Sequence, residues 1–182
     1  MPQIINMENN NILNGFLAEM RDHPNTTAFR LNNDIVTNAL FVQRIAPIMN
    51  ELDALPDKVI ALVVEDDLQV YASIPAAFLT GKVLVPLKSS WTEEQRRQVC
   101  EDAGVTYTLT AYRMQYYFRM TYEDALDRID NGLYDFEKDR LVIVFYQFDE
   151  EGIMLKRDFV VKDVSSEFFS PQFIFGYFSQ WL

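Results

Sequence analysis

The chain has 182 residues, of which 49% are hydrophobic, and its formal net charge is −11 at pH 7. This length and apolar content predict one globular domain, residues 1–182, and exclude a disordered chain. The acidic charge argues against nucleic acid or an anionic membrane as partner, and it opposes ATP unless local cations override it. No apolar run reaches membrane-spanning length, no cleavable signal is evident, and the single cysteine excludes an internal disulfide, so we expect a cytoplasmic protein.

The first third of the chain predicts a helix, a hairpin and a second helix. Residues 12–21 have the apolar spacing of a short amphipathic helix within an N-terminal segment, 1–22. A strand over 27–31 leads into Asn32-Asn33-Asp34, which is tight-turn chemistry. Apolar spacing over 37–52 predicts the second helix, kinked or restarted at Pro47. His23 is the only histidine, and without nearby partners it is expected at the surface or in a cap.

The central stretch, 58–110, alternates strand and helix signals. The β-branched run 59–64 predicts a buried parallel strand, and helical spacing over 68–79 ends before Gly81. A second strand follows over 83–87, and then a helix with Thr92 as N-cap, which ends at Gly104. A third strand is expected over 105–109. This order predicts an α/β fold, a Rossmann-like doubly wound, mostly parallel sheet flanked by helices, with a small N-terminal β-hairpin.

The second half contains an aromatic stretch and a strong strand signal. Tyrosines and phenylalanines over 112–122 suit core and interface packing better than base stacking, because few cations are near and the chain is acidic. A short helix is expected over 121–130, with Thr121 as its N-cap. The apolar run 140–146 predicts another strand.

Several of these segments resemble the adenylate-forming (AMP-binding) superfamily, which includes acyl-CoA synthetases, luciferases and the adenylation domains of nonribosomal peptide synthetases. Residues 77–87, Ala-Phe-Leu-Thr-Gly-Lys-Val-Leu-Val-Pro-Leu, resemble its segment A-x-L-x-A-G-x-x-x-V-P-L. Residues 91–96 and 101–105 match the next segment in order and spacing, and 26–34 resembles the hairpin before the first long helix. The resemblance covers about residues 20–110 and implies the N-terminal subdomain of that superfamily.

The resemblance also implies where a phosphate loop should begin. In relatives the strand ending in Tyr runs into a loop of the type Thr-Ser-Gly-Ser/Thr-Thr-Gly-x-Pro-Lys-Gly, which holds phosphates with amides, hydroxyls and a lysine. Here no Ser or Thr follows, one Gly remains, and three consecutive carboxylates stand where a triphosphate would lie. We interpret 149–152 as a plain hairpin turn left after a deletion of about five residues; the alternative keeps Lys156 as a displaced loop lysine. The degenerate loop positions are Tyr146, Gln147, Asp149, Glu150, Glu151, Gly152 and Lys156.

Other candidate positions lie at strand ends, where open α/β sheets bind ligands. These are Glu65-Asp66, Lys88-Ser89-Ser90 and Tyr146-Gln147. The acids 65–67 suit either a metal site or the capping of the next helix, and helix-dipole electrostatics favours capping. Cys100 is expected to be a packed thiol, and we assign no catalytic residue, cofactor or metal.

The C-terminal segment, 165–182, resembles the helix that follows the loop strand in relatives, and it is apolar on most sides. It is expected to pack on this domain, on a second copy or on another protein. Its proposed contact residues are Phe168, Phe169, Phe173, Phe175, Phe178 and Trp181.

Three functional hypotheses follow. The first is a truncated, non-catalytic domain that acts as a binding or assembly module. The second is the N-terminal part of a split acyl- or aminoacyl-adenylating ligase, and the third is a fragment of a longer ligase. The resemblance implies further family motifs downstream, which this sequence does not contain.

Overall fold

The computed structural model describes residues 7–165 and 169–181 of the chain. The helices are α1 (Met7–Asp22), α2 (Asn38–Ala54), α3 (Leu68–Leu79), α4 (Glu93–Ala103), α5 (Ala111–Met114), α6 (Tyr122–Asp130) and α7 (Pro171–Phe178), with 3-10 turns at Val161–Asp163 and Ser179–Trp181. The strands are β1 (Thr27–Leu31), β2 (Asp34–Thr37), β3 (Val59–Val64), β4 (Val83–Lys88), β5 (Tyr107–Leu109), β6 (Leu141–Phe148) and β7 (Met154–Val160).

The strands form a two-stranded antiparallel hairpin, β1-β2, and a five-stranded sheet of order β5-β3-β4-β6-β7. In the five-stranded sheet, strands β3, β4, β5 and β6 are parallel and β7 is antiparallel to its neighbour β6. The helices that separate consecutive parallel strands return the chain to the same end of the sheet. The predicted α/β fold, with a mostly parallel sheet and a small N-terminal hairpin, is therefore confirmed.

The sheet separates two hydrophobic cores because successive side chains of a strand point to opposite faces. Along β3, Ile60 and Leu62 join the larger core, with α1, α2, α3, α6 and α7, whereas Ala61 joins the smaller core beneath α4. Strand β6 divides in the same way, with Phe145 in contact with the larger core and Tyr146 in the smaller one. Side chains on one strand can therefore serve two separate environments.

Local signals in the sequence set several boundaries as expected. The Thr92 side chain accepts from the Gln95 amide, and the Gln95 side chain accepts from the Thr92 amide, which completes a capping box at the start of α4. Gly104 ends that helix with φ +69°, and Asn32 and Asn33 turn the first hairpin with φ of 50° and 72°. These conformations favour glycine and asparagine over other residues.

Some boundaries differ from the predictions. The α2 helix continues through Pro47 without a restart, because its neighbours Ile45, Ala46, Ile48 and Met49 are all buried and packing outweighs the missing backbone donor. The third core strand is only Tyr107–Leu109, since Gly104 ends α4 in a left-handed turn that delays pairing. The first helix begins earlier than expected, at Met7.

The aromatic segments also differ in part. Tyr112, Tyr116 and Phe118 are 71%, 70% and 86% exposed, so they do not pack in the core of this domain, and their expected role in interface packing stays a prediction; α5 ends after four residues and places them on the surface. Among the described residues of the 165–182 segment, Pro171–Phe178 is α-helical and Ser179–Trp181 is a 3-10 turn. Phe168 and Leu182 lie outside the described residues. Within the described ranges, no helix combines the length and apolar character needed to cross a membrane.

Candidate functional site

A cavity of about 240 Å³ opens at the carboxyl edge of the sheet, where β4 and β6 end. It brings together two predicted strand-end positions, Lys88 and Gln147, while Glu65-Asp66 lies outside its lining, as do Ser89 and Ser90. The rest of the wall comes from β7 and from the C-terminal aromatic segment. The lining residues are Lys88, Phe145, Gln147, Leu155, Lys156, Arg157, Tyr177 and Trp181.

The turn at 149–152 closes the β6-β7 hairpin and is not part of the cavity lining. Asp149 is the centre of its hydrogen bonding: one carboxylate oxygen, Oδ1, accepts from the amides of Glu151 (2.9 Å) and Ile153 (2.8 Å). The Asp149 carbonyl accepts from Gly152, and the Asp149 amide donates to Ile153. Gly152 has φ +79°, which favours glycine. The structure thus contains a compact turn here, and its origin as a shortened phosphate loop remains a prediction.

Tyr146 and Lys156, which the resemblance assigns to the degenerate loop, lie in β6 and β7, where they pair across the strands on the α4 face of the sheet. The Tyr146 hydroxyl donates to Asp102 Oδ2 at 2.7 Å, and the Lys156 ammonium lies 3.8 Å from the same carboxylate. Burial and the Asp102 hydrogen bond raise the pKa of Tyr146 well above its usual value. Nearby Cys100 is half-buried and burial raises its pKa, as suits a packed thiol rather than a nucleophile.

Two cations, Lys88 and Arg157, border the cavity without a carboxylate partner. Neither takes part in an ion pair of the residues that the structure describes. The Lys88 ammonium instead lies 5.2 Å from the centre of the Trp181 ring, a cation–π contact. Burial raises the pKa of Tyr177, and Arg157 partly opposes that rise. The cavity is therefore cationic, although the whole chain is acidic.

The acids at the end of β3 serve the following helix. Asp67 caps α3 by accepting from the Gln69 amide at 2.7 Å, and Asp66 accepts from the Tyr71 hydroxyl at 2.9 Å. Burial first, and then the Asp66 hydrogen bond, raise the pKa of Tyr71. The capping interpretation thus holds for Asp67. Within the described residues, no group of three or more His, Cys, Asp or Glu side chains is arranged to hold a metal ion.

The C-terminal aromatic segment packs largely on this chain. Ile174 and Phe178 are fully buried, and Phe169 is 2% exposed with its ring 5.0 Å from Phe16. Phe175 stacks on Phe29 of the hairpin at 4.8 Å. Phe173 remains 37% exposed, so self-association or a protein partner through this segment stays a prediction.

Sequence reasoning missed two residues that the structure shows to matter, one at this edge and one at the opposite end of β4. Arg157 of β7 pairs with Phe145 of β6, so the two lie on one face of the sheet, but the meeting of Arg157 with Lys88 and Trp181 depends on the strand order. A second missed residue is Lys82, which is 8% exposed and donates to the carbonyls of Leu55 and Asp57. Nothing in its local sequence distinguishes it from a surface lysine.

This fold, a mostly parallel sheet flanked by helices with a small antiparallel hairpin, is similar to that of the N-terminal part of adenylation domains in solved structures. The AlmE adenylation domain of Vibrio cholerae, in complex with glycyl-adenosine-5'-phosphate, superposes with a TM-score of 0.67 at 14% identity, over 88% of this chain and 36% of that one. The NpsA N-terminal subdomain of Klebsiella oxytoca, in complex with 3-hydroxybenzoyl-AMSN, gives 0.63 at 14% identity, over 86% of this chain and 42% of that one.

More distant similarity extends to MatB of Rhodopseudomonas palustris, with a TM-score of 0.51 at 17% identity, over 80% of this chain and 34% of that one. Identities this low establish the fold, and the chain spans less than half the length of each of these structures. No protein-family model and no curated protein sequence matches the chain.

Proposed function

We propose that this chain is a non-catalytic module built on the scaffold of an adenylating enzyme, with a degenerate phosphate loop, and that it acts in binding or assembly. The observation that carries the proposal is the turn at 149–152. In a phosphate loop, backbone amides point at the ligand and are free to donate to it. Here the amides of Asp149, Glu151, Gly152 and Ile153 already donate within the turn.

The charge and the residue composition of the turn oppose phosphate binding, as its geometry does. The carboxylates of Asp149, Glu150 and Glu151 are exposed at the turn, and each repels a triphosphate. No hydroxyl side chain lies between Tyr146 and Lys156 to replace the missing donors. Lys156, the residue that could supply a positive charge, is paired with Asp102 on α4.

The test is a titration of the protein with ATP and Mg²⁺, by calorimetry and by thermal unfolding. We expect no heat of binding and no thermal shift. A real site would be easy to detect, because ligand at 100 times its dissociation constant stabilises a protein by about 2.7 kcal/mol. Saturable ATP binding at the turn would contradict the proposal.

A matched double variant separates the effect of the turn's geometry on ATP binding from the effect of its charge. Glu150→Gln with Glu151→Gln removes two negative charges but keeps Asp149, whose carboxylate organises the turn. Because the amides stay occupied, we expect this double variant to ignore ATP as the wild type does. ATP binding by the variant alone would show that charge repulsion, rather than the lack of free amides, excludes the nucleotide.

A second candidate function is the N-terminal part of a split or longer acyl- or aminoacyl-adenylating ligase. The fold similarity to adenylation domains, over 36–42% of their length, favours it. Under this hypothesis the remaining catalytic groups come from a separate chain or from the rest of a longer one. Acid-dependent pyrophosphate exchange that needs both chains would support it over the non-catalytic module.

The assembly role would use exposed aromatic side chains in the cytoplasm, as a dimer or with a protein partner. Phe173 on α7 is part of the proposed contact surface and is 37% exposed. Sedimentation of the wild type and of Phe173→Ser tests this role. We expect association that weakens in the variant, and a strictly monomeric wild type would leave only a heterologous partner.

A further inference from the structure

We propose that the cavity at the carboxyl edge of the sheet binds a small aromatic oxyanion, whose charged head lies between Lys88 and Arg157. The cavity combines two features that seldom occur together on an acidic surface. It has cations without carboxylate partners in the described part of the chain, and it has a wall of aromatic rings. This inference rests on the cavity alone and goes beyond the proposed function, which rests on the turn.

The cations suit an oxyanion with up to two negative charges. Arg157 offers a planar fork of N–H donors that matches carboxylate and phosphate oxygens, and Lys88 offers a compact ammonium group. Gln147 adds a neutral amide at the end of β6. Lys156 also borders the cavity, but its ammonium is paired with Asp102 on the opposite face and is excluded from the head-group site.

The aromatic wall suits a flat ring. The ring centre of Phe145 lies 5.9 Å from that of Tyr177 and 5.5 Å from that of Trp181, so the three form one continuous apolar surface. The Lys88 ammonium is held beside this surface by its contact with Trp181. A ligand with a ring next to its charged group would therefore meet both features at once.

The size of the cavity limits the ligand. Sites for drug-sized molecules measure roughly 300–1,000 Å³. At about 240 Å³ this cavity is smaller, so a single ring with one head group fits better than a nucleotide. A second cavity next to this one is also lined by Arg157, and Asp163 is part of its lining. The Asp163 carboxylate accepts a hydrogen bond from the Val160 amide.

The experiment uses phenyl phosphate as probe, with benzoate and inorganic phosphate as comparisons, and follows the indole N–H signals of the protein by NMR. The chain has two tryptophans, and Trp91 packs against Phe148 on the opposite face, so its signal is an internal control. We expect saturable shifts of the Trp181 signal with a dissociation constant of about 1 mM, as small ligands of this size give. We expect weaker binding of benzoate, with one charge, and of phosphate, which lacks the ring.

Variants identify the head-group site. Lys88→Gln and Arg157→Gln each remove one charge-assisted contact and should weaken phenyl phosphate binding about tenfold. Lys138→Gln makes the same charge change at an exposed position away from the cavity and should alter binding less than about twofold. The spectra of the free variants show whether each is folded, and two independent variants keep the test decisive.

Two results would overturn the inference. One is no saturable shift of Trp181 at tens of millimolar phenyl phosphate, and the other is equal weakening by all three variants. The outcome is separable from the ATP test. Nucleotide binding that survives Lys88→Gln and Arg157→Gln would contradict the proposed function, whereas binding lost in both variants would place the nucleotide in the cavity.

Discussion

Replacing Lys82 should destabilise the protein although no sequence pattern marks this residue. The Lys82 ammonium donates to the Leu55 carbonyl at 2.8 Å and to the Asp57 carbonyl at 2.7 Å, and Lys82 is 8% exposed. It therefore ties the start of β4 to the loop that joins α2 to β3. Burial lowers the pKa of Lys82, and the nearby carboxylates of Asp53 and Asp57 partly offset that effect.

The expected loss of stability follows from these two hydrogen bonds. Hydrogen bonds to charged groups contribute about 1.5–3 kcal/mol each to stability. In Lys82→Met both are lost, but water can reach the half-buried carbonyls and the burial of a charge is relieved. We expect a net loss of about 2–3 kcal/mol in the free energy of unfolding, which lowers the Tm of a chain this size by about 5–10 °C.

The assay is urea unfolding followed by circular dichroism, with Lys58→Met as the matched control. Lys58 is an exposed lysine in the same loop, so its replacement should change stability by less than about 0.5 kcal/mol. If Lys82→Met unfolds within that same margin, or if Lys58→Met costs as much, the two hydrogen bonds do not stabilise the loop as argued.

Three further predictions concern local structure and pH. Gly132→Ala should lower the free energy of unfolding by more than about 1 kcal/mol, because the new Cβ would lie 2.1 Å from the Tyr134 hydroxyl oxygen. Gly15→Ala, whose new Cβ would have no atom within 4 Å, should instead stabilise α1 by about 0.5–1 kcal/mol. Thermal unfolding of the two variants distinguishes these effects. Burial raises the pKa of Tyr134 to about 12, so above pH 10 the native state keeps a proton that the unfolded state loses. The stability of the protein therefore falls as the pH rises towards 12. The stability of Tyr134→Phe should fall less steeply between pH 10 and 12, and an unchanged slope would contradict the assigned cause. Thr92→Ala removes the capping box of α4 and should lower unfolding free energy by about 1 kcal/mol in urea titrations, with Thr92→Ser retaining most of it.

The candidate site was predictable only in part. Lys88 and Gln147 follow apolar runs, and the ends of parallel strands meet at one edge of a sheet, so both were expected at the same edge. The turn at 149–152 also follows from its residues, since Asp149 and Gly152 have the side chain and the backbone freedom that such a turn requires. The occupation of the turn amides by Asp149, by contrast, is visible only in three dimensions.

Predictions that the structure contradicts in part, a restart of the helix at Pro47 and core packing of three aromatic residues, came from weighing local preference without packing. Pro47 is a helix breaker in isolation, yet the buried residues on either side of it hold α2 together. Tyr112, Tyr116 and Phe118 are apolar enough for a core, but the short α5 helix leaves them at the surface. Burial depends on where an element lies, which composition does not report.

The amino-acid sequence by itself determined the kinds of elements and many of their ends. Capping at Thr92, left-handed turns at Asn33 and Gly104, and the alternation along each strand all arise from interactions within a few residues. Tertiary structure alone decided which distant side chains meet. Lys88 of β4, Arg157 of β7 and Trp181 after α7 share one cavity because of the strand order β4-β6-β7 and the packing of the C-terminal segment. Such contacts depend on the sum of many weak packing terms across the whole domain, which no short stretch of sequence encodes.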